Sequence, residues 1–326
     1  MEAGSENRMN AAGNNTLGTT VPALDWTLTD CAVTITLNGT TVASYVFRAP
    51  DAQKESPRPY FYPLRTPDGS NVTVYRPHDH LWHKGVAWSL PHFGPDNFWG
   101  GPSYRRDKDY QWLPNNGRMD HLEILECAVS NGSFTFAHRL HWVTQGGDLV
   151  VGETRKFSVV PGEGAWTLIF DTSMDNVSGR DINIGSPTTE GRENAGYGGL
   201  FWRGPRSFTG GTIVGPGGAT GEALRGTRAA WLAFIGQHDE TDAVSTVLMV
   251  DDSGNAQHPP QWFARSEPFA CMGPAPFFSE EVNFAAGATM RNRYAVVIAD
   301  GGSEAERLAE LAGAAVEALE QAAVPA

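Results

Sequence analysis

Short runs of alternating apolar and polar residues dominate this chain, and glycine-containing pairs separate many of them. Strand-like runs cover 32–37 and 40–47, and Asn38-Gly39 between them is a pair that tolerates positive φ. The same pattern predicts consecutive strands at 121–129, 133–144, 149–160 and 166–173, with turns at Asn131-Gly132, Gly146-Gly147 and Pro161-Gly162. Strands joined in order by tight turns form an antiparallel meander.

The second half of the chain predicts further strands and one helix. Strand-like segments recur at 229–235, 244–250, 261–264 and 294–299, and no helical pattern of ten residues occurs between Leu24 and Ala299. At the C-terminus Ser303 and Glu306 form a capping box, followed by apolar residues at helical spacing: Leu308, Leu311, Ala312, Ala315, Val316 and Leu319. We therefore expect an all-β fold, a large antiparallel β-sandwich, with one amphipathic helix at about 303–322 packed on its outside.

Domain organisation follows from composition. Residues 1–20 are polar and almost free of large apolar groups, so we expect a disordered tail. No linker separates two compositions in the remainder, which predicts a single β-sandwich domain over 21–326. The absence of a repeat at a fixed period argues against a propeller.

The charge balance narrows the range of partners. The net charge is −13 and the pI is near 5.1, which argues against a nucleic-acid or anionic-membrane partner. No apolar run is long enough to span a bilayer, and positions 1–20 lack the apolar core of a signal peptide. We therefore expect a soluble, cytoplasmic protein, and no pattern indicates its oligomeric state.

The three cysteines, Cys31, Cys127 and Cys271, are odd in number and far apart in the sequence. This spacing fits neither a disulfide framework nor a cysteine-based zinc site. We expect reduced, buried thiols.

Histidine and aromatic residues are concentrated in one region. Three of the nine histidines lie in the segment His78-Asp79-His80-Leu81-Trp82-His83-Lys84-Gly85. Four of the ten tryptophans follow at positions 82, 88, 99 and 112, with phenylalanine and tyrosine between them. Histidine exchanges protons or binds metals near neutral pH, and aromatic rings suit a ring-shaped ligand, so we interpret this region as a small-molecule site. The alternative is a set of hydrogen-bonded structural histidines under a loop. We assign a structural role to the remaining histidines, His92, His121, His138, His141, His238 and His258.

Two kinds of chemistry fit the three clustered histidines. If the chain is extended here, His78 and His80 project to one side and Asp79 to the other, and a turn near Leu81-Trp82 returns His83. A divalent metal could then bind His78, His80 and His83, with Glu123 or Asp120 completing the shell. Without a metal, one histidine could act as general acid and another could orient the ligand, with Glu123 or Glu190 as the carboxylate base.

A second candidate segment covers 188–203. Its glycines allow close backbone approach to a ligand, and Glu190, Arg192, Tyr197 and Arg203 supply charge and hydrogen-bonding groups. A tight surface loop with internally paired charges is the alternative. Arg65 is a weaker candidate. Together with Trp82 and Lys84 of the histidine segment, Arg65, Arg192, Tyr197 and Arg203 are the predicted ligand-binding residues.

Four sequence runs carry a family resemblance: Arg58-Pro59-Tyr60-Phe61-Tyr62-Pro63-Leu64, the histidine segment, Glu190-Gly191-Arg192, and Gly196-Tyr197-Gly198-Gly199-Leu200-Phe201-Trp202-Arg203. Over residues 25–300 the chain resembles bacterial proteins that carry the name methane oxygenase PmoA or are grouped as a domain of unknown function. The membrane monooxygenase subunit of that name spans the bilayer, whereas this chain has no spanning segment. The family is similar in architecture to the galactose-mutarotase-like supersandwich, whose members handle sugars, often with a histidine and a carboxylate as acid and base.

These observations leave three functions open. The first is a carbohydrate-active enzyme, an epimerase, hydrolase or lyase that uses histidine and carboxylate acid–base chemistry on a sugar. The second is a sugar-binding protein without catalysis. The third is a metal-dependent oxygenase, as the family name implies. The expected partner is a small-molecule carbohydrate, and a divalent metal is the candidate cofactor.

Overall fold

The structure, a computed structural model, describes residues 23–302 and 304–323. Its strands in the first half are β1 Leu24–Leu28, β2 Ala32–Leu37, β3 Thr40–Val46, β4 Tyr60–Leu64, β5 Val86–Ser89, β6 His92–Phe93, β7 Ser103–Arg105, β8 Asp109–Gln111, β9 Arg118–Ser130, β10 Ser133–Val143, β11 Leu149–Gly162 and β12 Ala165–Asn176. Those in the second half are β13 Ile182–Gly185, β14 Gly199–Arg203, β15 Thr212–Val214, β16 Trp231–Gln237, β17 Val244–Asp251, β18 Gln261–Arg265, β19 Cys271–Ala275, β20 Val282–Phe284 and β21 Thr289–Asp300. Short 3-10 helices occur at Gln53–Glu55, Arg206–Phe208, Pro216–Gly218 and Glu222–Leu224, and the α-helix α1 spans Ala305–Ala323.

Two eight-stranded antiparallel sheets form the body of the protein. The front sheet has the order β1-β2-β3-β4-β5-β14-β19-β18, and the back sheet has the order β15-β16-β17-β21-β12-β11-β10-β9. The described residues also form a sheet of three strands (β20-β13-β6) and a sheet of two strands (β7-β8). The predicted all-β antiparallel architecture is confirmed.

The predicted meander is present as β9 to β12, paired in sequence order. The left-handed residues of its first turn are Asn131 and Gly132, with φ of 50° and 77°. The last turn was placed too early by the sequence pattern. Pro161 still pairs with Trp166, and the chain reverses after Gly162, with Gly164 at φ 62°.

The core lies between the two sheets. Alternate side chains of each strand point inward, so aromatic rings from the front sheet meet rings from the back sheet. Phe61 and Phe157 have ring centroids 4.9 Å apart, and those of Trp202 and Phe234 are 5.1 Å apart. This contact holds the front sheet in place and leaves its other face free to build a site.

Helix α1 covers the outer face of the back sheet. Leu308, Leu311, Ala312, Ala315 and Leu319 are buried against strands β12, β16, β17 and β21. Val316 was predicted to lie on this face but is 43% exposed, because it falls at the margin of the buried stripe. The helix is confirmed; Ser303, its predicted cap, lies outside the described residues.

The outer face of the front sheet carries an aromatic cluster. On β14, Leu200 and Trp202 point into the core, so Phe201 and Arg203 point away from it. On β18 the same alternation sends Phe263 and Arg265 to the outer face. Strand periodicity therefore brings two arginines and several rings together there.

The three cysteines are free, but the expectation that all are buried is wrong for two of them. Cys271 is buried, Cys127 is half-buried and Cys31 is exposed, because Cys31 lies in the turn before β2.

The expected tail, residues 1–20, lies outside the described residues, and the single-domain assignment stays a prediction. Within residues 23–302 and 304–323 no helix has the length and apolar character needed to cross a membrane.

Candidate functional site

A cavity of about 430 Å³ opens on the outer face of the front sheet. Its walls come from the histidine segment, the loops around β7 and β8, the glycine-rich loop before β14, and strands β14 and β18. The lining residues are His80, Trp82, His83, Trp99, Pro102, Tyr110, Arg192, Tyr197, Phe201, Phe263, Arg265, Pro268 and Phe269. This volume falls within the range of small-molecule sites.

Residues 77–83, which we call the histidine loop, are curled rather than extended. The His80 amide donates to the Pro77 carbonyl at 3.0 Å, and the His83 amide donates to the His80 carbonyl at 2.9 Å. A bridge between Tyr75 and Lys84 closes the base of the loop. The expected turn returns His83 to His80, but the expected alternation of His78 and His80 against Asp79 is wrong because consecutive turns replace the extended chain.

Asp79 fixes the orientation of His80. The Asp79 carboxylate lies 2.9 Å from His80 Nδ1 and also accepts hydrogen bonds from Arg203 at 3.0 Å and Arg206 at 2.7 Å. Burial opposes its ionisation, but the hydrogen bonds from His80 and Arg203 hold the pKa of Asp79 well below its usual range. An ionised carboxylate can only accept, so His80 Nδ1 carries the proton and Nε2 keeps its lone pair.

Arg203 fixes the opposite tautomer in His83. Its Nη1 lies 2.8 Å from His83 Nδ1. A guanidinium has no acceptor, so Nδ1 of His83 is the acceptor and the proton of the neutral ring is on Nε2. Burial, together with the nearby His80 and Arg203, lowers the pKa of His83 well below its usual value, which keeps this ring neutral.

The two imidazoles stack, with centroids 4.6 Å apart and planes 15° apart. Burial lowers the pKa of His80, and its contact with Asp79 opposes that effect only in part. Both rings are therefore neutral near pH 7. Neither Nε2 atom has a hydrogen-bond partner in the part of the chain that the structure describes, so the pair offers the cavity one acceptor and one donor.

Aromatic rings form most of the remaining wall. The Trp99 ring lies 4.7 Å from that of Tyr197 and 4.8 Å from that of Phe201. Arg203 lies 3.6 Å above the Phe269 ring, so this ring separates much of the guanidinium from the cavity. Such walls favour a ligand with an apolar face and polar edges.

Two tyrosine hydroxyls and an arginine form a chain along one side. The hydroxyls of Tyr110 and Tyr197 are 2.9 Å apart, and Arg192 donates to Tyr110. Burial raises the pKa of Tyr197 well above its ordinary value, and the neighbouring Tyr110 raises it further. Tyr197 therefore stays protonated and can serve as a hydrogen-bond donor.

Four predicted site residues lie elsewhere. His78 is exposed, and its Nδ1 lies 3.2 Å from Arg206. Glu123 is on β9, where it pairs with Arg139 at 2.7 Å on an exposed surface. Glu190 lies 3.9 Å from Arg105, and Arg65 donates to the Gly69 carbonyl at 2.9 Å. None of the four lines the cavity, because spacing along the chain does not report which side of a turn or sheet a residue occupies.

Lys84 was predicted to contact the ligand but points into the protein. Its ammonium lies 2.8 Å from Asp51 and 2.5 Å from Glu55, and the side chain is fully buried. Arg58, beside this cluster, donates to the Trp82 carbonyl at 2.7 Å. These buried charges support the histidine loop from below.

The predicted metal ligands do not converge. Within residues 23–302 and 304–323 no group of three or more histidine, cysteine, aspartate or glutamate side chains is arranged to hold a metal ion. His78 lies outside the cavity, and the Nδ1 lone pair of His83 already accepts a hydrogen bond from Arg203.

Several lining residues carried little signal in the sequence. Trp99 and Tyr110 belong to the aromatic-rich region and could have been included on that basis. Phe263, Arg265 and Phe269 lie on or next to β18, in a segment with no motif, and only sheet pairing brings them to the site.

Fold and cavity together define a β-sandwich protein with an aromatic-lined cavity that opens on the outer face of one sheet. A family of unknown function, DUF6807, matches residues 32–313, and the chain belongs to that family. A comparison of the sequence with curated proteins found no match.

Solved structures similar to this chain are distant from it. An α-galactosidase from Lactobacillus brevis is 11% identical with a TM-score of 0.38, over 87% of this chain and 40% of that one. A putative aldose 1-epimerase from Escherichia coli K12 is 9% identical with a TM-score of 0.33, over 85% and 99%. A galactose mutarotase related enzyme from Lactobacillus acidophilus is 8% identical with a TM-score of 0.32, over 86% and 98%. The chain therefore spans about two fifths of the length of the α-galactosidase.

Proposed function

We propose that this protein is a carbohydrate-active enzyme that moves a proton on a sugar bound in the aromatic cavity. The observation that carries the proposal is the pair of contacts, Asp79 with His80 and Arg203 with His83, that assign opposite tautomers to the stacked imidazoles. Asp79 leaves the Nε2 lone pair of His80 free, and Arg203 leaves the Nε2 proton of His83 free. A sugar presents adjacent oxygens, and one acceptor beside one donor matches two of them.

The roles differ between the two rings. His80 is the general base, which takes a proton from a hydroxyl or from a carbon next to a carbonyl. His83 donates a hydrogen bond to the neighbouring oxygen as negative charge develops there. Asp79 stabilises the His80 imidazolium that forms, as a carboxylate does for the histidine of a catalytic triad.

Proton abstraction, as in epimerisation or elimination, fits this site better than hydrolysis. Glycoside hydrolysis ordinarily uses two carboxylates that flank the scissile bond. No aspartate or glutamate is among the described residues that line the cavity. Glu123 and Glu190 accordingly have no part in the proposed chemistry.

The oxygen chemistry implied by the PmoA name has less support. It would need a divalent metal, and only two of the three predicted histidine ligands reach the cavity.

The unpaired cysteines fit a reducing compartment, so we propose that the activity is cytoplasmic.

The test is a panel of sugars and keto-sugars followed by proton NMR in deuterated water. Wild-type protein is expected to exchange or convert at least one of them, and His80→Gln is expected to lower that rate about 10²–10⁴-fold. The control is Glu123→Gln, which also introduces a glutamine but on an exposed surface outside the cavity, and it should leave the rate unchanged.

The outcomes separate the alternatives. Binding without exchange or turnover by the wild type would favour the sugar-binding protein over the enzyme. Turnover that survives in His80→Gln would overturn the assignment of the base. If no sugar of the panel binds and none is converted, the carbohydrate proposal is overturned.

A further inference from the structure

The charge of the cavity differs from that of the chain. The chain has a net charge of −13, yet the described residues that line the cavity include two arginines and no carboxylate. The two lining histidines are neutral, and the charge of Arg203 behind them is matched by Asp79 at 3.0 Å. The cavity wall is therefore positively charged.

Arg265, the last residue of β18, has no counter-ion. Across the described part of the chain no carboxylate lies within 4.0 Å of its guanidinium, its side chain makes no hydrogen bond, and its Nε is buried without a partner. The carboxylate of Glu222, which acts on it at longer range, is already engaged by Arg225 and by Ser266. The Arg265 guanidinium lies 5.1 Å from the centre of the Phe263 ring.

Arg192 faces the same cavity from the glycine-rich loop. It donates to the Tyr110 hydroxyl and lies 4.9 Å from that ring, and no carboxylate of the described chain pairs with it. Burial lowers the pKa of Arg265, and the nearby positive charge of Arg192 adds to that effect. Two partly buried guanidinium groups without counter-ions are costly, and an anion between them would remove that cost.

We propose that the ligand of this cavity carries an oxyanion, either a carboxylate or a phosphate group, that Arg192 and Arg265 bind. The inference rests on the proposed function and narrows its substrate class from sugars in general to acidic sugars. A guanidinium binds both oxyanions through paired hydrogen bonds, so the two groups share one recognition chemistry. The oxyanion would lie at the arginine side of the cavity, leaving the ring oxygens for His80 and His83.

The experiment is isothermal titration calorimetry with matched ligands at low ionic strength. Glucose and galactose serve as neutral parents, glucuronate and galacturonate as carboxylates, and glucose 1-phosphate and glucose 6-phosphate as phosphates. We expect one charged series to bind at least tenfold more tightly than its neutral parent, and its identity shows which oxyanion the site takes. Arg265→Gln should weaken that series about 10- to 100-fold and leave the neutral parent unchanged.

Two further variants make the outcome specific. Arg265→Lys keeps the charge and should recover part of the lost affinity. Arg139→Gln removes an exposed arginine of β10 that is remote from the cavity, and should change nothing.

Neutral sugars that bind as tightly as the acids, or a preference that persists in Arg265→Gln, would overturn this inference and leave the proposed function standing. Failure of every sugar to bind, charged or neutral, would contradict the proposed function and this inference together.

Discussion

The protein contains two stacked pairs of histidines in different surroundings. His80 and His83 have ring centroids 4.6 Å apart beside the cavity, and His121 and His138 have centroids 5.2 Å apart at the edge of the sandwich core. In the core pair the two Nδ1 atoms lie 2.9 Å apart, and Tyr45 bonds to His138 Nε2 at 3.0 Å. Both nitrogens of His138 are therefore occupied.

The cavity pair differs in what fixes its Nδ1 atoms. A carboxylate holds one ring and a guanidinium holds the other, so both Nε2 atoms remain available to a ligand and differ in polarity. In the core pair the rings bond to each other and to a neutral hydroxyl. The comparison indicates that charged partners on the protein side, more than histidine proximity, distinguish a candidate reactive pair from a structural one.

The largest expected effect is on turnover in Asp79→Asn. An amide can donate to His80 Nδ1, which would move the ring proton to Nε2 and remove the base. We expect turnover to fall about 10²–10⁴-fold while the circular dichroism spectrum stays the same. Nitrogen-15 NMR of the histidine rings reports the tautomer directly, and an unchanged His80 tautomer would contradict the assignment.

The second effect is on the pH dependence of turnover. His80 works as a base when it is neutral, and burial lowers its pKa below the ordinary histidine value despite the opposing contact with Asp79. The rate should therefore be constant near pH 7 and fall about tenfold per pH unit only below a midpoint lower than about 6.5. A midpoint above pH 7 in the rate profile would contradict the lowered pKa that burial gives His80.

The core pair should affect stability instead of turnover. His138→Phe fits a similar volume but leaves a buried nitrogen of His121 and the Tyr45 hydroxyl without their present partner. We expect the free energy of unfolding in urea to fall by about 1–3 kcal/mol, with turnover unchanged. His80→Gln should lower turnover and leave the free energy of unfolding unchanged. If His138→Phe loses turnover while it remains fully folded, the proposed difference between the two pairs is contradicted.

A smaller effect is the acid sensitivity that the core pair confers. Burial and then Arg48 lower the pKa of His121 to about 4, whereas an unfolded histidine titrates near 6.5. Between pH 4 and about 6.5 the unfolded chain binds more protons at His121 than the folded protein does. The stability that comes from neutral His121 is therefore present above about pH 6.5 and is lost as the pH falls towards 4. Urea unfolding at pH 7, 5.5 and 4.5 should show a shallower decline for His121→Asn than for the wild type.

Local sequence determined most of the back sheet, the β2–β3 hairpin of the front sheet, and the C-terminal helix. Alternating residues specified β2 and the meander from β9 to β12, because side chains in a strand alternate between faces regardless of what lies beyond them. Asn38-Gly39 and Asn131-Gly132 specified their turns, since these pairs adopt positive φ at little cost. The helical spacing of Leu308, Leu311 and Ala315 specified α1 in the same local way.

Tertiary structure decided the site. The sequence located the histidine loop and the glycine-rich loop, but Lys84 turned inward and His78 outward because the loop curls over a buried ion-pair cluster that includes Asp51 and Glu55. Arg203 fixes the tautomer of His83 and pairs with the Asp79 carboxylate that fixes His80, and Arg265 supplies part of the positive charge of the cavity. Both arginines lie far along the chain from the loop, and only the pairing of β5, β14, β19 and β18 places them beside it. Hydrogen bonds and charges act over a few ångströms of space, so residues remote in sequence can set the chemistry of a local motif.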